Sequence, residues 1–583
     1  KEIFFAVIST TITLVAVFFP IVFMDGTTGR LFREFSIVVS GSVIISSFAA
    51  LTFTPMLATK LLIKREQQSW FYRKTEPFFE GMNRVYSQSL AAFLKRRWIA
   101  LPFTIVTILL IGVLWNTIPA EMAPLEDRSQ ISINTMGAEG VTYEYIRDYT
   151  EDINHLVDSI IPDAEAVTAR VSSGSGNVRI TLKDMKDRDY TQMEVAEKLS
   201  KAVQKKTMAR SFVQQSSSFG GRRGGMPVQY VLQATNIEKL QEVLPKFMTK
   251  VYENPVFQMA DVNLKFSKPE ARININRDKA SIMGVSTKNI AQTLQYGLSG
   301  QRMGYFYMNG KQYEILGEIN RQQRNKPADL KGIYIRSDNG NMVQLDNLIE
   351  LTGGIAPPKL YRYNRFVSAT ISAGLADGKT IGQGLDEMDK IAKETLDETF
   401  RTALTGDSKE YRESSSSLMF AFILAIVLIY LILAAQFESF KDPLIIMLTV
   451  PLAIAGALVF MYFGGITMNI FSQIGIIMLI GLVAKNGILI VEFANQKQEA
   501  GEDKMRAIKD ASLQRLRPIL MTSASTILGL IPLAFATGEG CNQRIAMGTA
   551  VVGGMLISTL LTMYIVPAIY SYVSTNRSKL KTE

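Results

Sequence analysis

One cysteine and one histidine in 583 residues remove much of the usual catalytic and metal chemistry from this chain. Cys541 alone forms no intrachain disulfide, and His155 alone cannot readily build a zinc site or a Ser/His/Asp triad. His155 reads as a surface residue of a helix. Paired carboxylates in a recognisable catalytic motif are also missing, and DMKDRD (184–189) reads as a solvated turn. An enzyme is therefore the weakest reading, and no cofactor or resident metal is expected. The 26 methionines include Met136, Met185, Met193 and Met226 in the polar part of the chain, but they form no clustered motif for soft-metal binding. The net charge of +10 falls largely beside apolar runs, so it reads as an orientation signal and not as a nucleic-acid patch.

What the chain does contain is long apolar runs flanking a polar block. Its mean hydropathy of +0.13 averages these two populations, which together describe a membrane protein with a large extramembrane part. Spans are expected at about 3–23, 35–58, 98–118, 417–435, 443–463, 467–494, 517–537 and 545–573, eight helices in all. The loop from Lys60 to Trp98 is strongly basic and is assigned to the cytoplasm, which puts the block from Pro119 to Ser416 outside it. Within that loop, PFFEGMNRVYSQSLAAFLKRRW has helical apolar spacing and basic flanks, as a helix lying on the membrane surface would. The chain opens KEIFFAVIST, without Met and at the threshold of a span, as a piece lacking its N-terminal part would.

The run Thr467–Ala494 carries Lys485 well inside it. A charge at such depth costs about 2.5–3.5 kcal/mol on insertion scales, so the ammonium is expected to face a carboxylate or a water-filled path. No other apolar run holds an acid at comparable depth, and Glu492 lies two turns on in the same helix. Asn486 adjoins Lys485. Arg515 and Thr522, in RLRPILMTSAST, are two turns apart on one face of the next span. An ammonium, an arginine, a hydroxyl and an acid from elsewhere would make a proton relay; a fixed salt bridge between helices is the plainer alternative.

The polar block alternates strands and helices. ISINTM (131–136), a helix Tyr143–Ile160, AVTARV, NVRITL, a helix Gln192–Lys205 and RSFVQQS form one βαβ-type unit. After FGGRRGGMP, which reads as a mobile loop, VQYVLQA, a helix Ile237–Tyr252 and the strand DVNLKF begin a second. An insertion of about 267–352 interrupts it, with Asn309-Gly310 and Asn339-Gly340 at turns. RFVSATISA, a helix Thr380–Leu396 and FRTALTG complete it. An internal repeat links the first two spans to the last two: Thr10 and Thr522, Pro20 and Pro532, Gly26 and Gly538, Gly41 and Gly553, Ser46 and Ser558, and Pro55 and Pro567 all differ by 512. Both copies end on the same side, so the repeat is parallel. The counterpart of Lys485 at that offset would precede Lys1.

GLVAKNGILIVEFA, LQRLRPILMTSASTILGLIPL, FFPIVFMDGTTGRLFREFSI and RDKASIMGVSTKNIAQTL resemble the inner-membrane subunit of resistance-nodulation-division (RND) efflux pumps, the AcrB type that exports amphiphiles. The resemblance covers the whole chain. It implies an α-helical membrane bundle, half of a twelve-helix repeat, with α/β (ferredoxin-like) periplasmic porter subdomains and an α/β docking insertion. Residues 1–118 would hold the fifth to seventh helices and a cytoplasmic surface helix, and 119–221 the third porter subdomain. Residues 222–267 with 353–407 would form the fourth porter subdomain, 268–352 the docking subdomain, and 408–583 the eighth to twelfth helices. The family's relay pairs a lysine at the position of Lys485 with an aspartate pair absent from this sequence, and continues through positions matching Arg515 and Thr522. The loop SSGSGN (172–177) would be the switch loop, with Gly174 and Gly176 as hinge or merely as a hairpin turn. Arg179 stands where an apolar pocket residue is usual, which puts lipophilic specificity in doubt, and Phe212, Phe219 and Tyr230 are candidate pocket aromatics or core residues. The resemblance further implies proton-driven export of amphiphilic compounds from the bacterial inner membrane and periplasm. The protein would work as a homotrimer, in contact with membrane lipid, with a periplasmic adaptor (membrane fusion) protein and an outer-membrane channel. Heavy-metal export and a protein-secretion or assembly role on the same fold are the alternatives.

Overall fold

In the computed structural model, residues 2–24, 26–61, 70–215, 226–357, 359–376 and 378–575 are described. Phe219 and most of the loop FGGRRGGMP lie outside them. The chain begins with α1 (Glu2–Val22), α2 (Gly26–Leu61), α3 (Trp70–Lys95) and, after one 3-10 turn at Arg97–Ile99, α4 (Ala100–Thr117). The basic-flanked segment is helical as expected, and one face of it is packed against the bundle. Tyr86, Leu90 and Leu94 are buried, and the Tyr86 hydroxyl donates to the Met563 carbonyl at 2.7 Å.

The first α/β unit runs β1 (Gln130–Met136), α5 (Tyr143–Ile160), β2 (Ala166–Ser172), β3 (Ser175–Thr181), α6 (Gln192–Gln204) and β4 (Arg210–Gln215). Its sheet has the order β2-β3-β1-β4, with every neighbouring pair antiparallel. The βα crossover therefore skips one strand, a split βαβ arrangement. Thr142 caps α5 and Thr191 with Glu194 forms a capping box on α6. Ile146, Tyr149, Ile153 and Val157, at helical spacing, cover Ile131, Ile133, Val178 and Ile180.

The second unit starts with β5 (Val228–Ala234), α7 (Ile237–Glu253) and β6 (Phe257–Val262). The insertion follows: β7 (Lys268–Ile275), α8 (Arg277–Ile282), α9 (Thr287–Ser299), the hairpin β8 (Gln301–Met308) and β9 (Lys311–Gly317), β10 (Tyr334–Arg336), β11 (Met342–Gln344) and β12 (Ile349–Ala356). β12 pairs with β7, so the insertion closes on itself. Asn309 and Gly310 both take positive φ (52° and 73°), the geometry of a tight hairpin turn. The unit ends with β13 (Arg362–Tyr363), β14 (Phe366–Leu375), α10 (Ile381–Thr395) and β15 (Arg401–Leu404). One expectation is corrected here, since DVNLKF (261–266) is not a strand beyond Val262. Asn263 closes the ladder with backbone and side chain together: its backbone N–H donates to the Thr370 carbonyl at 3.0 Å and its Oδ1 accepts from the Thr370 N–H at 2.7 Å. This ends the pairing four residues early and lets the chain leave for the insertion.

The membrane part closes with α11 (Gly406–Phe437), α12 (Lys441–Met447), α13 (Thr449–Phe463), α14 (Ile470–Glu499), α15 (Lys504–Ala534) and α16 (Cys541–Val573). Among the described residues seven helices are long and apolar enough to cross a membrane, with the shorter apolar Val7–Val22 of α1 beside them, where eight spans were expected. The expected span 443–463 lies within the continuous apolar stretch Lys441–Phe463, which has one irregular residue at Leu448, where Pro451 lacks an N–H and its ring crowds the Met447 carbonyl. α11 begins eleven residues before its apolar run. Its polar first turns dock on the second unit, where Ser408 Oγ accepts from the Gln229 N–H at 2.8 Å and donates to the Pro227 carbonyl at 3.1 Å. α13, α14 and α16 form the bundle core. A Cβ on Gly456 would lie 2.8 Å from Ile557 and 3.1 Å from the Gly553 carbonyl, so small residues set this approach. Gly26 and Gly538, the pair 512 apart, both take left-handed φ (83° and 86°) between consecutive helices.

Candidate functional site

α14 is the most enclosed helix of the bundle, with 78% of its apolar window buried. Asn469 fixes its start by accepting from the N–H groups of Phe471 and Ser472, both at 3.0 Å. Met478, Leu482, Lys485, Leu489 and Glu492, alternately four and three residues apart, form a half-buried stripe on this otherwise covered helix. Lys485 sits at its centre. No hydrogen bond or ion pair joins its ammonium to another described residue. Glu492 accepts from Gln496 Nε2 at 3.0 Å within α14 and forms no ion pair with Lys485.

The other relay candidates divide between two faces. Asn486 turns inward and is buried, its Nδ2 reaching Ser523 Oγ at 3.4 Å and Thr559 Oγ1 at 3.5 Å, while Thr559 Oγ1 donates to Ser523 Oγ at 3.2 Å. This polar triad ties α14, α15 and α16 together. Arg515 is half-buried, and its guanidinium stacks 4.4 Å above the Phe493 ring of α14. The Thr522 hydroxyl donates to the Ile519 carbonyl of its own helix at 3.1 Å. Lys485 is hydrogen-bonded to none of these three.

Sequence reasoning missed a second polar cluster at the far end of the same helices. Asp442, 1% exposed, accepts from Asn495 Nδ2 at 3.2 Å; Asn495 Oδ1 accepts from the Tyr570 hydroxyl, which accepts from Gln498 Nε2 at 2.7 Å. The QFESFKD stretch reads as a loop between spans, and nothing in it marks Asp442 as buried.

Above the bundle a cleft of about 1050 Å³ opens between the two α/β units. Its walls include Phe212 and Gln214 of β4, Val203 of α6, Met259 of β6 and Leu375 of β14, and its floor includes Glu121. Burial raises the Glu121 carboxyl above its usual range, partly offset by the hydrogen bond donated by Thr467. Of the candidate pocket residues, Phe212 lines this cleft. It stands opposite Asn134 on the sheet face where Asn177 Nδ2 donates to Asn134 Oδ1 at 2.8 Å and Asn134 Nδ2 donates to Gln214 Oε1 at 2.9 Å. Arg179 is exposed on β3, away from the cleft walls.

Of its two readings, pocket aromatic or core residue, Tyr230 takes the second and does not line the cleft. It is 2% exposed, stacks on Phe247 and donates to Asp389 Oδ1 at 2.9 Å, because its place on β5 points under the helices. Gly174, with φ of 79°, sits in the two-residue turn between β2 and β3. Gly176 is required for a different reason, since a Cβ there would run into Thr150 Oγ1 of α5. All six residues of RSFVQQ border the cleft, so strand alternation alone did not single out its lining.

A family model described as "AcrB/AcrD/AcrF family" matches residues 1–574. A protein of Haemophilus influenzae named "Uncharacterized transporter" is 31% identical over 590 residues, which cover all of this chain and 57% of that relative. The chain thus spans little more than half the length of that curated relative.

Proposed function

Because this chain belongs to the AcrB/AcrD/AcrF family of RND transporters, we propose that it forms part of a proton-driven exporter of amphiphilic compounds. The observation that carries this reading is the half-buried stripe of α14, which places a lysine without a described partner at mid-membrane on an otherwise covered helix. An intramembrane ammonium so placed is suited to a carboxylate pair supplied by the rest of the full-length subunit. Protonation of that pair releases the lysine, and deprotonation recaptures it. Arg515 and Thr522 on α15 extend the path, and Asn486, through Ser523 and Thr559, passes each change at Lys485 to two neighbouring helices. The cleft, with the aromatic Phe212 beside amide side chains, is matched to a substrate with one apolar and one polar end.

In this reading the seven long helices and α1 are the fifth to twelfth spans, residues 119–221 and 222–267 with 353–407 are porter subdomains, and 268–352 is a docking subdomain. The subunit works in the inner membrane as a homotrimer with an adaptor and an outer-membrane channel. Metal export is less well supported, since Met136 and Met193 are exposed on separate elements while Met226 is buried beside the cleft.

The test is export of an amphiphilic dye by the full-length subunit in proteoliposomes under an imposed pH gradient, comparing wild type with Lys485→Met. Gradient-driven export by wild type, lowered at least about 100-fold in the variant with assembly intact, is the expected result. Normal export by the variant would reduce Lys485 to a helix staple. Movement of metal ions alone by wild type would replace the amphiphile reading.

A further inference from the structure

The segment Pro119–Ser129 joins α4 to the first α/β unit, and it is stitched to both halves of the molecule. Its backbone pairs with the approach to α14: the Met468 N–H donates to the Pro119 carbonyl at 2.8 Å, Glu121 N–H to the Met468 carbonyl at 3.0 Å, and Ile470 N–H to the Met122 carbonyl at 3.2 Å. Two consecutive acids then point in opposite directions, as successive side chains of an extended chain do. Glu126, 1% exposed, accepts from the backbone N–H groups of Gln543 at 2.8 Å and Asn542 at 3.4 Å, the first turn of α16. Asn542 Nδ2 adds a bond to the Leu125 carbonyl at 2.7 Å. Asp127 accepts from the Gln192 N–H at 2.8 Å, the first turn of α6, and pairs with the fully buried Arg188. One carboxylate thus holds the start of a membrane helix, and its neighbour holds the start of a helix that walls the cleft.

Each grip is strong for the same reason. A buried carboxylate meets unpaired N–H groups at the positive end of a helix dipole, so neither acid can leave without exposing an uncompensated charge or orphaned donors. The strap is therefore stiff at both ends. α14 carries Lys485, and α16 carries Thr559, which bonds to the Asn486 triad. A shift of either helix pulls the strap, and the strap pulls α6.

We propose that Glu126 and Asp127 are positioning residues that transmit movement of α14 and α16 to the cleft wall at α6. This rests on the transport reading above, in which Lys485 moves during the cycle.

Hydrogen exchange of the α6 amides (192–204) in the full-length subunit tests the coupling without any export assay. Lys485→Met should change α6 exchange about tenfold when Glu126 is present, and less than about twofold in Glu126→Gln. Asp127→Asn removes the charge that pairs with Arg188 and loosens the strap at its other end, where the Gln192 side chain still accepts from the Arg128 and Gln130 N–H groups at 2.9 and 3.1 Å, so it should give a loss in the same direction, which decides the matter where Glu126→Gln fails to assemble. An equal response with and without the strap acids, or no response of α6 to Lys485→Met in the unaltered strap, would overturn the proposal. Dye export by the same preparations is judged separately. If wild type exports nothing the transport reading fails, while the exchange result still decides whether the strap couples the two regions.

Discussion

The two α/β units share a four-strand order, β2-β3-β1-β4 in the first and β6-β14-β5-β15 in the second, which adds β13 beside β14, but they treat the same connection in opposite ways. In the first, β2 and β3 are joined by the turn Ser173-Gly174; in the second, the corresponding strands β6 and β14 are separated by everything from Asn263 to Arg365. The contrast shows where this topology has slack. The strand after the first helix lies at the sheet edge, so the chain can leave there without breaking a central ladder. The second unit compensates at the exit point with the Asn263 side chain, and its insertion closes through the β7–β12 pair. In the first unit the connection stays short, and Gly176 just after it admits no side chain against Thr150.

The sharpest way to break the comparison is to weaken the second core alone. Phe247 is fully buried and stacks on Tyr230, so Phe247→Ala should lower the opening free energy of β5 and α7 amides by about 3–5 kcal/mol in hydrogen exchange. Protection of β1 and α5 should be unchanged, since the two cores are separate clusters. A smaller effect tests the exit point itself. Asn263→Ala leaves the Thr370 N–H without its side-chain acceptor and should cost about 1–3 kcal/mol, read as faster exchange at Thr370 in the middle of β14.

The smallest effect separates the units by pH. Burial alone would raise the Asp127 carboxyl, but the Gln192 N–H, Arg188 and the Ser129 N–H outweigh it and hold the group below its usual value. A lowered folded-state value means that the stabilisation is present above the ordinary carboxylate value of about 3.9 and is lost as pH falls through the folded-state value. Protection of α6 should therefore decline on acidification below about pH 4, and Asp127→Asn should flatten that decline. In the second unit the Glu394 carboxyl of α10 is held below its usual range by the hydrogen bond from Lys250, but both groups reach solvent, so α10 should show a weaker decline.

Much of this architecture was legible in the sequence where local rules agree. The helix Tyr143–Ile160 has its observed ends because Thr142 supplies the cap and the apolar residues recur at helical spacing. DVNLKF misled because Leu264 is buried and Phe266 packs against the core, so alternation continued after the pairing had stopped. The irregular residue at Leu448 had its cause in plain view at Pro451. Lys485 stood out by charge alone. The cleft did not, because a cavity between two units depends on how their sheets meet. Tyr230 shows the same limit, since an aromatic on a strand reads alike whether it faces a pocket or a core. Glu126 and Asp127 were hidden within a short connector, where neither spacing nor composition signals a buried acid.

α11 is one unbroken helix of 32 residues, anchored in the second unit at Ser408 and Arg412 and reaching Phe437 at the far side of the bundle. At about 1.5 Å per residue it is a rod of roughly 48 Å. Such a rod acts as a lever with its load at one end. A tilt of about 5° about the membrane end would swing the docked turn by roughly 4 Å, enough to open or shut a gap the width of a hydrocarbon chain. A rotation too small to disturb packing inside the membrane would thus be magnified into a displacement of several ångströms where α11 meets the second unit.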